Sequence, residues 1–327
     1  MKFLFIADPL AGFKVHKDST YAMMREAARR GHGLFAMLAE DLAWRDGRVR
    51  GRCAQVTLAD TPAPPYAEEG RPWFEADPHT WRDLAHFDAV LMRKDPPFDQ
   101  GYLNATWLLQ IAEEQGARVL NRPQALRDWN EKLAIARFPE FIAPTLVSAD
   151  AGQIREFLAR QEDIVVKPLN AMGGAGVFRL RPGDPNLGAI LETATRHGTE
   201  AVMAQRYLPA IAEGDKRVLV IDGEPVPYCL ARIPAQGETR GNLAAGGTGV
   251  ARPLSEQDWR IARALAPALQ AAGIFLAGLD VIGARLTEVN VTSPTCFQEI
   301  HRQTGCDVAA LFMDALERRA MEAQGAG

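Results

Sequence analysis

The chain lacks most of the features that assign a sequence to a class at a glance. Its 327 residues hold only four cysteines, Cys53, Cys229, Cys296 and Cys306, and none forms a C-x-x-C pair. Neither a zinc site nor a dithiol redox motif is indicated, and in a reducing compartment these are expected to be free thiols. No apolar run reaches the roughly 18 residues that a membrane helix needs. No basic tract occurs, and a net charge of −4 gives no sign of a nucleic-acid footprint. The opening segment Lys2 to Ala7 is too short for the apolar core of a signal peptide. A cytoplasmic protein that binds neither membrane nor nucleic acid is therefore expected. The six histidines are scattered, and none sits with Ser or Cys as a triad would require. G-x-G-x-x-G is absent, and with it the dinucleotide fingerprint.

What is present is ordinary in bulk, with 47% hydrophobic and 24% charged residues, and the length suits about two or three domains. Lys2 to Asp8 reads as a buried strand. Asp18-Ser19-Thr20 supplies helix-capping types before a helical Tyr21 to Arg30, and Leu34 to Leu38 reads as a second strand. This β-loop-α-β opening predicts a parallel sheet, extended by strands at Phe87 to Met92 and Arg118 to Leu120 around a helix at 104–115. Residues 60–72 form a Pro-rich connector. After a junction at 121–132 comes a second α+β unit, with strands at 145–148, 164–167, 177–180 and 201–208, a hairpin turning at Asp222-Gly223, and a helix from Ser255 to Ala272 stopped by Gly273.

Several residues stand out chemically. Lys167 ends an apolar strand, where an unpaired ammonium would be costly, so an anion is expected opposite it. The following Gly173-Gly174-Ala175-Gly176 is either a plain hairpin turn or a loop whose backbone N–H groups converge on phosphate oxygens. Arg217 and Arg232 lie on apolar strands and also call for anions. Arg93 leaves a strand just before Pro96-Pro97; it is either a surface cation beside Asp95 or a bidentate carboxylate ligand. Asp18 and Ser19 cap a helix, and they also lie beyond a strand's C-terminal end, where open sheets bind ligands. Asp280, Glu288 and Asn290 fall on two strands of a second predicted hairpin, Glu288 and Asn290 on one face and Asp280 level with them. They are either the wet face of a half-solvated sheet or an all-oxygen set suited to Mg²⁺. Residues 234–249 form a long glycine-rich loop, either a functional lid or a disordered segment.

Together, Leu91-Met-Arg-Lys-Asp-Pro-Pro-Phe98, Asn130-Glu-Lys132, Lys167-Pro-Leu with Met172-Gly-Gly-Ala, Asp215-Lys-Arg-Val-Leu-Val220, Gly223 to Pro234, Gly237 to Gly247 and Leu286-Thr-Glu-Val-Asn-Val-Thr-Ser-Pro-Thr295 resemble the bacterial glutathione synthetase family of ATP-grasp ligases. The resemblance covers nearly the whole chain. It implies an α/β fold, α+β in its C-terminal part: a Rossmann-like parallel-sheet domain at 1–122, a first ATP-grasp lobe at 123–208, and a second lobe at 209–327. It implies ATP-dependent joining of γ-glutamylcysteine to glycine through an acyl phosphate, Mg²⁺ or Mn²⁺ as cofactor, and a homotetramer. By that pattern Lys132 and Lys167 hold phosphates and Gly173, Gly174, Ala175 and Gly176 cover them. Gln205, Tyr207 and Leu208 border adenine, and Asp215 and Arg217 line the nucleotide site. Asp280, Glu288 and Asn290 carry the metal. Asp18, Ser19, Arg93, Arg232, Ser293 and Thr295 meet the peptide, and Arg217, Arg232 and Arg240 act in catalysis. Thr248 and Val250 stand where the family's lid would close with a basic residue. Two readings compete: another ATP-grasp carboxylate–amine ligase, and a nucleotide-binding regulator without turnover.

Overall fold

A computed structural model of the chain describes residues 1–59, 73–236, 241 and 246–325. The Pro-rich connector, Arg240 and half of the predicted lid fall outside these residues.

The elements run β1 (Lys2–Ile6), α1 (Ser19–Arg29), β2 (Gly33–Met37), β3 (Leu42–Arg45), β4 (Arg48–Leu58), β5 (Phe74–Ala76), β6 (Thr80–Asp83), β7 (Ala89–Met92), α2 (Gln100–Glu114), β8 (Val119–Leu120) and α3 (Pro123–Asp128). Four of these strands, ordered β2-β1-β7-β8, are parallel. Phe3 and Phe5 of β1 pack into one core cluster and Leu4 and Ile6 into another. Both faces are covered, so the strand reads as an unbroken apolar run. The expectation of a parallel sheet needs one correction. β4 adds to β2 antiparallel, and β3, β5 and β6 pair with β4, so the eight-stranded sheet is mixed.

A four-stranded sheet follows. It is built from β9 (Thr145–Ser148), β10 (Ile164–Pro168), β11 (Phe178–Leu180) and β12 (Val202–Arg206), with α4 (Ala151–Gln161) and α5 (Leu187–Ala194). Its order is β11-β10-β12-β9, antiparallel throughout. Ile164, Val166, Val202 and Ala204 turn to α4 and α5 and form a core of their own. Side chains alternate along a strand, so Val165, Lys167 and Gln205 emerge on the other face, toward the cavity described below.

The third sheet has order β15-β14-β13-β16-β17. Its strands are β13 (Asp215–Ile221), β14 (Glu224–Ile233), β15 (Thr248–Pro253), β16 (Leu276–Ile282) and β17 (Arg285–Asn290); α6 (Glu256–Ala272), α7 (Phe297–Thr304) and α8 (Val308–Gly325) complete the chain. Ser255 and Asp258 cap α6 reciprocally, and Gly273 ends it in the left-handed conformation (φ 77°). Val218, Val220, Leu279 and Val281 face the core cluster that includes α6. The same alternation puts Asp215, Arg217 and Asp280 on the opposite face. Among the described residues, no helix is long and apolar enough to cross a membrane.

Candidate active site

A cavity of about 380 Å³ lies between the four- and five-stranded sheets. Its floor is the β16–β17 hairpin. Asp280 pairs in register with Glu288, and Asn290 lies across from Gly278. Gly278 leaves room there: a Cβ in its place would come 2.7 Å from Arg217 Cδ. The three oxygen-bearing side chains predicted from the sequence are thus brought together on the cavity wall.

The anions expected opposite the cations are supplied by the protein itself. Lys167 Nζ lies 3.5 Å from Glu288 Oε1 and donates to the Thr287 carbonyl at 3.1 Å. Lys132 Nζ lies 3.8 Å from the same carboxylate and donates to the Ala171 carbonyl at 2.5 Å, at the start of the glycine loop. Arg217 holds Asp280 through Nε at 2.6 Å and a second nitrogen at 3.2 Å. Arg232 reaches Asp280 at 2.8 Å and Asp215 at 2.5 Å. Strand order creates this alternating row, since β14, β13 and β16 are neighbours and Asp215 registers with Arg232 and Arg217 with Asp280.

Burial works against the Asp280 carboxylate, but Arg217 and Arg232 outweigh it and hold its pKa far below the ordinary carboxylate range. Burial raises the pKa of Asp215; Arg232 opposes the rise, and the charges of Asp280 and Glu288 add to it. One Asp215 oxygen has no hydrogen-bond partner among the described residues. Glu131, half-buried on the same wall, is raised by burial and by Glu288.

At the other end, Tyr207 lies under the guanidinium of Arg179, 3.4 Å from its ring centre, and Asp163 fixes that guanidinium with contacts of 2.8 and 2.6 Å. Gln205 donates to the Thr145 hydroxyl at 3.0 Å. Tyr207, Leu208, Gly173, Gly174 and Ala175 join the wall; Gly176 does not, but turns the loop at φ +69° beside Pro168.

Ser293 and Thr295 line the cavity directly beyond the hairpin. Ser293 donates to Asp95 at 2.5 Å. Asp18, Ser19 and Arg93 stand behind this turn and are not part of the cavity wall. Arg93 is buried, and instead of pairing with a carboxylate it donates to the Thr20 hydroxyl at 3.1 Å and the Pro294 carbonyl at 3.0 Å. Asp18 accepts from Tyr21 N as the cap of α1, and Ser19 accepts from Phe297 N. Burial raises Asp18 and lowers Arg93. Sequence reasoning gave no role to Asp95, Glu131, Thr292 or Arg179. The Asp-Pro-Pro and Asn-Glu-Lys segments were the available signals for the first two.

Among the described residues no group of three or more His, Cys, Asp and Glu side chains could hold a metal. The hairpin offers two carboxylates and an amide, all oxygen donors, with Asp280 already shared by two arginines. That set fits a hard divalent cation that completes its shell with ligand or water oxygens.

Residues 1–127 match the family model described as Prokaryotic glutathione synthetase, N-terminal domain, and residues 131–305 match Prokaryotic glutathione synthetase, ATP-grasp domain. The chain belongs to the prokaryotic glutathione synthetase family. Glutathione synthetase of Ralstonia nicotianae is 57% identical over 327 residues, covering 99% of this chain and 98% of the relative. Glutathione synthetase of Vibrio parahaemolyticus serotype O3:K6 is 50% identical, covering 98% of each. Among solved structures, D-cycloserine synthetase DcsG superposes with a TM-score of 0.64 at 17% identity, over 98% of this chain and 100% of that one. The ATP-grasp ligase PsnB complexed with minimal precursor, Mg and ADP gives 0.61 at 18%, over 98% of each chain. These likenesses place the fold among the ATP-grasp ligases. As a member of the glutathione synthetase family, the chain is an ATP-dependent ligase that uses a divalent metal.

Proposed function

We propose that this ligase joins γ-L-glutamyl-L-cysteine to glycine, with ATP as co-substrate and Mg²⁺ (or Mn²⁺) as the metal. The observation that supports this most is continuity. The lysine-flanked hairpin and the Ser293–Thr295 turn lie on one cavity wall, so a polyphosphate and an acid substrate can meet there. Lys132 and Lys167 hold the phosphates, with Gly173 to Gly176 over them. Gln205, Tyr207 and Leu208 border the adenine. Asp280, Glu288 and Asn290 would hold the cation, which when bound offsets the charge of the polyphosphate. Ser293, Thr295 and Arg232 face the dipeptide, with Asp18, Ser19 and Arg93 supporting the turn. Arg217, Arg232 and Arg240 balance charge in the reaction.

The chemistry needs positioning and charge neutralisation rather than a protein nucleophile. An oxygen of the cysteinyl carboxylate attacks the γ-phosphorus and ADP leaves, giving an acyl phosphate. The glycine amine then attacks the acyl carbon, phosphate leaves, and the nitrogen sheds a proton. The acyl phosphate must be kept from water, which suits a lid at 234–249. We assign three units, 1–122, 123–208 and 209–327, and a cytoplasmic homotetramer; sedimentation of the purified protein tests the subunit number. The deciding experiment is mass spectrometry of products from ATP, glycine and a panel of γ-glutamyl dipeptides. Glutathione formed in preference to its analogues is expected. Equal use of unrelated acids would overturn the substrate assignment, and ADP release without either amino-acid substrate would overturn the ligase reading.

A further inference from the structure

Three consecutive residues, Asn130 to Lys132, reach the two sides of the cavity. Asn130 donates to the Leu169 carbonyl at 3.2 Å and to the Asn170 side chain at 3.4 Å, at the base of the glycine loop. Lys132 donates to Ala171 on the same loop. Glu131, between them, serves the opposite side. Its backbone carbonyl accepts from Val289 N at 2.8 Å, one residue past Glu288. Its side chain accepts from the Thr292 hydroxyl at 3.0 Å. Thr292 is buried and opens the turn that carries Ser293 and Thr295. One short stretch of backbone therefore fixes both the phosphate-side loop and the substrate-side turn.

We propose that Glu131 is a positioning residue: through its hydrogen bond to Thr292 it sets the 292–295 turn relative to Lys132 and Lys167, aligning the acid substrate with the γ-phosphate. This rests on the ligase reading above. The contact requires an acceptor for a hydroxyl proton, which a neutral amide oxygen also provides. Misplacing a reacting group by a fraction of an ångström lowers turnover even when nucleotide binding is intact.

The test is steady-state kinetics on Glu131→Ala, Glu131→Gln, Thr292→Val and the double variant Glu131→Ala/Thr292→Val. Glu131→Ala should raise KM for γ-glutamylcysteine and lower kcat, each by roughly tenfold, the effect of losing one partly buried hydrogen bond to a carboxylate. KM for ATP should move by less than about twofold, because the lysines keep their own contacts. Glu131→Gln should recover most of the loss, Thr292→Val should reproduce the alanine phenotype, and the double variant should be no worse than either single one. A Gln variant as impaired as Ala, an equal rise in KM for ATP, or additive losses in the double variant would overturn the proposal. A wild-type enzyme that makes no product from γ-glutamylcysteine would instead sink the substrate assignment, so the two failures are distinguishable.

Discussion

Lys167 Nζ and Glu288 Oε1 lie 3.5 Å apart, and Lys132 shares the same carboxylate at 3.8 Å. One partly exposed carboxylate is thus shared by two buried ammonium groups, leaving net positive charge at the point where a polyphosphate would enter. Glu288→Gln removes that anion and a candidate metal donor together. Turnover should fall roughly a hundredfold or more, the scale seen when one charge-stabilising group is lost from an active site. Metal-free ATP, measured by calorimetry, should bind no more weakly than to wild type, because the lysines lose a competing anion. An unchanged rate would remove Glu288 from the metal site.

The glycine loop offers a paired comparison. Gly173 (φ +65°) has open space around the position of a Cβ, whereas a Cβ on Gly176 (φ +69°) would come 2.9 Å from Pro168 Cγ. Alanine at either position costs about 1 kcal/mol of left-handed backbone strain. Only Gly176→Ala must also push the residue that follows Lys167. KM for ATP should therefore rise about tenfold in Gly176→Ala and only a few-fold in Gly173→Ala, with the lower melting temperature in Gly176→Ala. The reverse order in ATP kinetics would show that the loop's end does not govern phosphate binding.

Asn121 is buried, and its amide ties both ends of the β16–β17 hairpin. It donates to Leu276 O at 2.8 Å and Val291 O at 2.6 Å, and accepts from Phe275 N at 2.7 Å and Leu276 N at 2.8 Å. Asn121→Ala leaves these groups without that partner and should destabilise the protein by about 3 kcal/mol. Asn121→Asp should be at least as harmful, since a carboxylate cannot donate to two carbonyls. Urea unfolding of both variants checks the ranking.

Acid should loosen the packing of α1 against α8. Glu26 is buried and bonded to Arg29 and Arg30; hydrogen bonding to Arg29 is the chief cause that lowers its pKa to about 2 from the usual 4.5. A carboxyl depressed by folding stabilises the folded state above its unfolded pKa and loses that contribution as pH falls through the folded value. The window is therefore pH 4.5 down to 2. The contribution is on the order of 2 kcal/mol once solvent screening at the exposed Arg29 is allowed for. Melts of wild type and Glu26→Gln should differ at pH 6 and converge near pH 2. A constant gap would show that the shift is absent.

Much of this was legible in the sequence where a signal is local. Ser255 and Gly273 bound α6 as their types predict, the Asp222-Gly223 turn joins β13 to β14, and Asp280 and Glu288 face each other across the hairpin. Lys167 ends an apolar strand, and the anion expected opposite it is Glu288. Contacts that depend on strand order were not legible. Arg217 is 63 residues from Asp280, and only the adjacency of β13 and β16 makes that carboxylate its partner. Arg93 was read as exposed or as a carboxylate ligand, because nothing nearby in sequence shows that Pro294, 201 residues away, would accept its hydrogen bond. β4 went unassigned although its Arg48-Val-Arg-Gly-Arg-Cys alternation carried a strand signal. Its partners β3 and β6 are short and largely exposed, with little apolar patterning to mark them.

The four-stranded sheet keeps an oily interior of its own beneath α4 and α5, while Met203 joins the larger cluster and Val147 packs against it. Lys167 rides on this sheet, while Lys132 precedes it in the chain and Glu288 belongs to the sheet across the cleft. A polyanion gripped by both lysines would therefore act as a rivet between two separately built pieces, and transfer of its γ-phosphoryl group would loosen the joint as the product forms.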